Sequence, residues 1–149
     1  MANVTTVTRS NRFACKDPDE VCLALSQCRT DGNPVVATQE NGKIMFYCEG
    51  EIEGMLTPKA REMEAENPGW CDDHPEEAYT MSQLCTYLME HLSADDACCI
   101  LSTGRESMRD IWADCYVVTW TSVKHIDLRQ VAQSVTREAL MDPKWELKL

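Results

Sequence analysis

No apolar run in the 149 residues approaches the ~20 residues that a membrane-crossing helix needs. Nor does the opening Met1-Ala2-Asn3-Val4-Thr5-Thr6 carry the charged segment and apolar core of a secretory leader. Together these absences predict a cytoplasmic chain without a membrane anchor. Cations are scarce: 14 Lys and Arg stand against 25 Asp and Glu, for a net charge of −11. Phosphate contacts need clustered Lys and Arg, so direct DNA or RNA binding is not expected. Anionic membrane surfaces are disfavoured for the same reason. The sequence also lacks a C-x2-C pair, a P-loop, G-x-G-x-x-G, G-x-S-x-G and H-E-x-x-H. No catalytic residue and no cofactor is therefore expected.

Cysteine, by contrast, is plentiful. There are nine, an odd number, at 15, 22, 28, 48, 71, 85, 98, 99 and 115. Without an export signal they read as free thiols packing as small hydrophobes rather than as a disulfide framework. Cys98 and Cys99 are adjacent and, on a strand, point to opposite faces. The best local cluster for chemistry is Cys71-Asp72-Asp73-His74. It lacks the second pair that structural zinc requires, and its carboxylates raise a thiol pKa rather than lower it. No metal is expected, and a small Cys/His metal protein or enzyme remains an alternative reading.

The chain has the size of a single domain, 1–149, and its 44% apolar and 26% charged content is that of a globular protein. Val4 to Cys15 alternates like a strand or strand pair. Asp17-Pro18 looks like a cap and first residue of a helix with Val21, Leu25 and Cys28 on its apolar stripe. Val35–Thr38 and Ile44–Cys48 flank Asn41-Gly42, which tolerates a type I′ turn, so a hairpin is predicted. Thr57-Pro58 opens a second helix and Asn67-Pro68-Gly69 closes it. Trp70 to Tyr79 reads as a loop. Thr80 and Gln83 form a capping box before a third helix carrying Leu84, Leu88 and Leu92. Ala97–Leu101 and Ile111–Trp120 are strands joined by a turn at Thr103–Glu106, and Val123–Ile126 extends the second after a bend. Asp127 caps a last helix with Val131 and Val135 inward. The order is β-α-β-β, an acidic insert at about 49–79, then α-β-β-α. An α+β fold is predicted: one antiparallel sheet with three to four helices.

Charge is concentrated in one place. Between Glu49 and Glu77 ten carboxylates face only Lys59 and Arg61, giving −8 of the chain's −11. If the hairpin's second strand continues, Glu49, Glu51 and Glu53 share a face about 6.6 Å apart. Glu62 and Glu66 are an i, i+4 like-charge pair that costs a helix about 0.2–0.5 kcal/mol and that folding does not explain. Concentrated self-repulsion points to a surface for a basic partner. The candidate partner-binding residues are Glu49, Glu51, Glu53, Glu62, Glu66, Asp72, Asp73, Glu76 and Glu77, with Trp70 as an apolar anchor.

Residues 97–145 add a resemblance. Gly104-Arg105-Glu106-x-Met108-Arg109, Tyr116-Val117-Val118-Thr119, Lys124-x-Ile126-Asp127-Leu128 and Arg137-Glu138-Ala139-Leu140-x-Asp142-Pro143 resemble a family of small acidic proteins of bacteriophages and conjugative elements. Trp112–Asp114 and Trp120–Ser122 depart from that family's glycine-containing pattern. The resemblance implies a bacterial host cytoplasm and a mobile-element setting, where small acidic proteins counter host defences as anti-CRISPR proteins and DNA mimics. The expected function is therefore a non-enzymatic inhibitor that binds the basic surface of a CRISPR-Cas effector or a similar complex. A mobile-element interaction module without DNA mimicry is the alternative. Oligomeric state stays open.

Overall fold

In the first strand, β1 (Val4–Ser10), Thr6, Thr8 and Ser10 are buried while Thr5, Val7 and Arg9 are exposed. That alternation sets the layers of the fold, a computed structural model that describes residues 4–106 and 110–148. After β2 (Phe13–Ala14) come α1 (Pro18–Ser26), β3 (Arg29–Thr30), β4 (Val36–Glu40), β5 (Lys43–Glu49) and β6 (Ile52–Leu56). Then follow α2 (Pro58–Glu66), α3 (Trp70–Asp73), α4 (Pro75–Ala78), β7 (Tyr79–Thr80) and α5 (Met81–His91). The chain finishes with β8 (Cys98–Glu106), β9 (Asp110–Val118), β10 (Val123–Asp127) and α6 (Leu128–Leu140).

The main sheet runs β10-β9-β8-β1-β5, and β5 also pairs with β2 and with β4. Every pairing is antiparallel, so the predicted α+β class with an antiparallel sheet is what the structure has. A smaller sheet, β3-β6-β7, stands beside it. Phe13, Ile44, Phe46 and Ile100 from the main sheet meet Val21 and Leu25 of α1 and Leu84 and Leu88 of α5 in one core. The rings of Phe13 and Phe46 pack edge to face with centroids 6.2 Å apart. Thr8 and Ser102 share a 3.1 Å bond in this core and Ser10 Oγ accepts from the Phe46 amide at 3.0 Å, whereas the buried Tyr87 hydroxyl at its margin has no partner among the described residues. On the other face, register lines up Val36, Tyr47, Arg9, Leu101, Cys115 and Ile126 in one row across six strands. None of the six is fully buried.

Turn and cap chemistry behaves as read at Asn41-Gly42, Thr57, Thr80 and Asp127, but the cap expected at Asp17 does not form. Asn41 and Gly42 take φ of 54° and 77° between β4 and β5. Thr57 Oγ1 accepts from Ala60 N and Thr80 Oγ1 from Gln83 N, both at 3.1 Å. Asp127 Oδ1 accepts from Arg129 N at 2.7 Å. Asp17 precedes α1 without a side-chain bond, in the left-handed region at φ 51°.

Five further expectations are corrected. Val123–Ile126 does not extend the preceding strand: the chain turns at Thr119–Ser122 and β10 folds back to pair antiparallel with β9. The described residues hold six helices rather than three to four, because Trp70–Tyr79 is not a loop but two single-turn helices leading into β7. Thr103–Glu106 is not a turn: β8 continues through it, and Gly104 lies opposite Trp112, whose ring occupies the space that any added Cβ would take. The second hairpin strand does not continue past Glu49. Gly50, at φ 133°, bends the chain out of the main sheet and into β6 of the small one. Val131 and Val135 do not point inward, since α6 has no buried residue and Val135 is 60% exposed.

Candidate acidic docking site

The bend at Gly50 builds the site. A Cβ there would lie 2.8–3.0 Å from Asp31 and Gly32, so the 31–33 loop packs directly on the turn. Asp31 Oδ1 accepts from the Glu51 amide at 2.6 Å, the Asp31 amide donates to Glu51 O at 3.1 Å, and Asn33 Nδ2 donates to Glu49 Oε2 at 3.1 Å. The backbone is clipped, and the carboxylates of Glu49, Glu51 and Glu53 are left exposed at a sheet junction.

Beyond the junction, Glu51 and Glu53 meet Glu76 around a concavity of about 500 Å³ whose walls include Arg29, Ile52 and Tyr79. A neighbouring hollow of about 40 Å³ shares Glu51 and Ile52 and adds Asp114 and Tyr116. Glu51 feels all of this. Loss of solvation first, then repulsion from Asp31, Asp114 and Glu53, holds its carboxyl above the ordinary carboxylate pKa. A cationic side chain placed here would relieve that repulsion.

Of the ten carboxylates from Glu49 to Glu77, only Glu53 has an ion pair among the described residues, to Arg29 Nε at 2.8 Å. Arg29 also sits over the Tyr79 ring, 5.6 Å from its centroid. Glu64 is structural, accepting from Gly69 N at 2.9 Å and from Cys71 N at 2.8 Å. Those bonds draw its pKa below the ordinary value. The other eight lack an ionic partner among the described residues and are exposed.

The predicted residues do not all converge. Glu51, Glu53 and Glu76 line one concavity, and Glu49 lines a separate hollow with Asp31, Gly32 and Gly50. Glu62 and Glu66 stand on α2, and Asp72, Asp73 and Glu77 on the single-turn helices, without lining either hollow. Trp70 is half-buried, stacked on His74 at 4.6 Å, and packs on a small cluster of Ala60, Cys71 and Ala78. Asp31 and Asp114 belong to the site although nothing in the sequence pattern selects them. Asp31 reads as part of a helix stop, and Asp114 becomes a neighbour only through sheet pairing.

Cys71 and His74 have local partners. The Cys71 thiol is buried and donates to Ala60 O at 3.7 Å, and His74 Nδ1 lies 3.0 Å from Trp70 O. Burial, with Glu64 beside it, pushes the Cys71 pKa up, the wrong direction for a nucleophile. Among the described residues no three His, Cys, Asp or Glu side chains gather to hold a metal ion. A larger cleft of about 560 Å³ opens between α1, α2 and α5, lined by Leu23, Ala24, Met55, Leu56 and Arg61 among others. None of the ten carboxylates faces it. No helix among the described residues is long and apolar enough to cross a membrane.

No protein-family model, curated protein or solved structure matches the chain. The functional reading therefore rests on the site itself and on the resemblance of residues 97–145.

Proposed function

We propose that the chain is a non-enzymatic binding protein whose acidic junction docks on a cationic protein surface of the kind that otherwise holds nucleic-acid phosphates. The observation that carries this reading is the gathering of Glu51, Glu53 and Glu76 around one concavity and of Asp31 and Glu49 at the neighbouring Gly50 turn, with Arg29 as the ion-paired cation among the described residues. Burial first, and then repulsion from Asp31, Asp114 and Glu53, raises the Glu51 pKa, and an incoming Lys or Arg would offset that repulsion. Charge of this density steers association and makes it salt-sensitive. The mobile-element resemblance makes a CRISPR-Cas effector the first target to test, with occlusion of its nucleic-acid channel as the mode of inhibition.

The test is binding of the chain to a purified, DNA-free effector at 50 and 500 mM NaCl, followed by the variant Glu49→Gln/Glu51→Gln/Glu53→Gln/Glu76→Gln. The expected result is a fall of at least tenfold in affinity with salt and a similar fall with the variant, together with competition by DNA. Binding unchanged in the variant overturns the proposal. Binding that ignores both salt and DNA favours the rival interaction module without mimicry.

A further inference from the structure

At the far end of the sheet from β4, two unsatisfied surfaces lie side by side. β10 is the terminal strand, so one row of its backbone N–H and C=O groups has no partner strand among the described residues. It has five residues, no proline and no bulge against β9, and Lys124 is its one Lys or Arg. Natural edge strands are usually blunted by such devices or covered. Directly after it, α6 carries the segregated pattern of an amphipathic helix, with Leu128, Val131, Ala132, Val135 and Ala139 on one side, yet none of its residues is buried. Leu128 is 56% exposed and Val135 60%. A shallow groove of about 280 Å³ runs where the two meet, lined by Ile126 of β10 and by Val131, Ser134 and Val135 of α6.

We infer that this surface is covered by the same surface of a second copy of the chain, the two β10 strands pairing antiparallel about a two-fold axis and the two α6 helices packing alongside each other. Three observations select a second copy. First, the geometry closes. α6 lies against both β9 and β10. With strands ~4.8 Å apart, a dyad beside β10 sets the two α6 axes ~10 Å apart, within helix-packing distance. The strand pairing and the helix packing are then satisfied by one operation, as an isologous interface requires. Second, the apolar area is a usable share of an interface. The exposed parts of Ile126, Leu128, Val131 and Val135, which share one side, amount to roughly 350 Å² per copy, and the β10 backbone edge and polar rim add to it towards the ~800 Å² per partner of a standard interface.

Third, the charge permits it. Residues 123–148 hold five basic and four acidic side chains, a net +1, so the remainder of the chain carries −12. This apolar surface lies in the part of a strongly anionic protein from which net negative charge is missing. The contact borders the acidic junction at Asp114, which lies 3.3 Å from His125 of β10, while Glu49, Glu53 and Glu76 lie outside the groove.

The test is sedimentation equilibrium of the full chain from 1 to 100 µM, with hydrogen exchange of the 123–127 amides over the same range. The expected result is a mass of twice 16.9 kDa at the upper concentrations, with protection of those amides rising in parallel. Val131→Asp/Val135→Asp should raise the dimer dissociation constant at least 100-fold while leaving the far-ultraviolet circular dichroism unchanged, since both side chains are exposed. Dimerisation should strengthen at 500 mM NaCl, where repulsion between two −11 chains is screened, whereas acidic docking on a partner should weaken. A chain that stays monomeric at 100 µM overturns the inference, and so does a folded double variant that still dimerises. The wild-type mass and exchange data decide the question even if the variant does not fold.

Discussion

The molecule has two ends that its core does not use, and they are opposites. The Gly50 junction is crowded with carboxylates whose backbone is clipped at every turn, while the β10–α6 end is nearly neutral and exposes Leu128 and Val135 to solvent. Neither arrangement is what folding alone favours. Like charges repel at the first, and apolar surface stays wet at the second. The two approach each other at Asp114 of β9, beside β10, and behind them lies an ordinary core in which Phe13, Leu25, Phe46, Leu84 and Leu88 are fully buried. The difference teaches that the buried apolar contacts are concentrated in the core, while the two surfaces proposed for external contacts contribute little to it.

The widest gap should appear between core and α6. Phe46→Ala should cost about 3–5 kcal/mol of stability in a denaturant titration, while Val135→Ala at sub-micromolar concentration should cost under about 0.5 kcal/mol. A large loss at Val135 in the monomer would mean that α6 is part of the core after all. Next in size, Gly104→Ala drives a methyl into the Trp112 ring and should cost about 1–3 kcal/mol through the displaced β8–β9 pair. Thr57→Ala and Asp127→Ala each remove a helix cap, one at the acidic end and one at the apolar end, for about 1 kcal/mol apiece.

The smallest and most diagnostic contrast lies within the acidic end. Glu64 has its pKa drawn down by the Gly69 and Cys71 amides, so its contribution is present above pH 4.5 and disappears as pH falls through the folded value. Glu51 is pushed up, so ionising it costs stability as pH rises from 4.5 through its folded value. Thermal melts of Glu64→Gln should accordingly lie below wild type at pH 7 and close on it at low pH. Glu51→Gln should lie above wild type at pH 7 and coincide with it below pH 4.5. If Glu51→Gln lowers the neutral-pH melting temperature, the carboxylates at the junction are structural.

Much of the fold could be read along the chain because its signals are local. Asn41-Gly42, Thr57-Pro58, Thr80-x-x-Gln83 and Asp127 all act within a few residues, and each sits where its chemistry placed it. What the sequence did not reveal depends on partners distant in the chain. Gly104 looks like a turn residue until β9 brings Trp112 against it. Trp70–Tyr79 is polar enough to read as a loop, but Glu64 caps the start of α3 from the previous helix and holds it helical. The amphipathic pattern of α6 gave the helix and not the occupant of its face. The acidic site was half legible: the charge run located Glu49, Glu51, Glu53 and Glu76, but charge counting could not tell them from Glu64, which has a structural role, nor add Asp31 and Asp114.

The central claim is that the carboxylates around Gly50 are a docking surface for something cationic. Titration of a purified nucleic-acid-free effector with wild-type chain and with the Glu49→Gln/Glu51→Gln/Glu53→Gln/Glu76→Gln variant, each at 50 and 500 mM NaCl, tests it most directly. The account predicts tight binding by wild type at low salt only, at least tenfold weaker binding by the variant, and a variant melting temperature no lower than wild type. A variant that binds as tightly as wild type at both salt concentrations would contradict it.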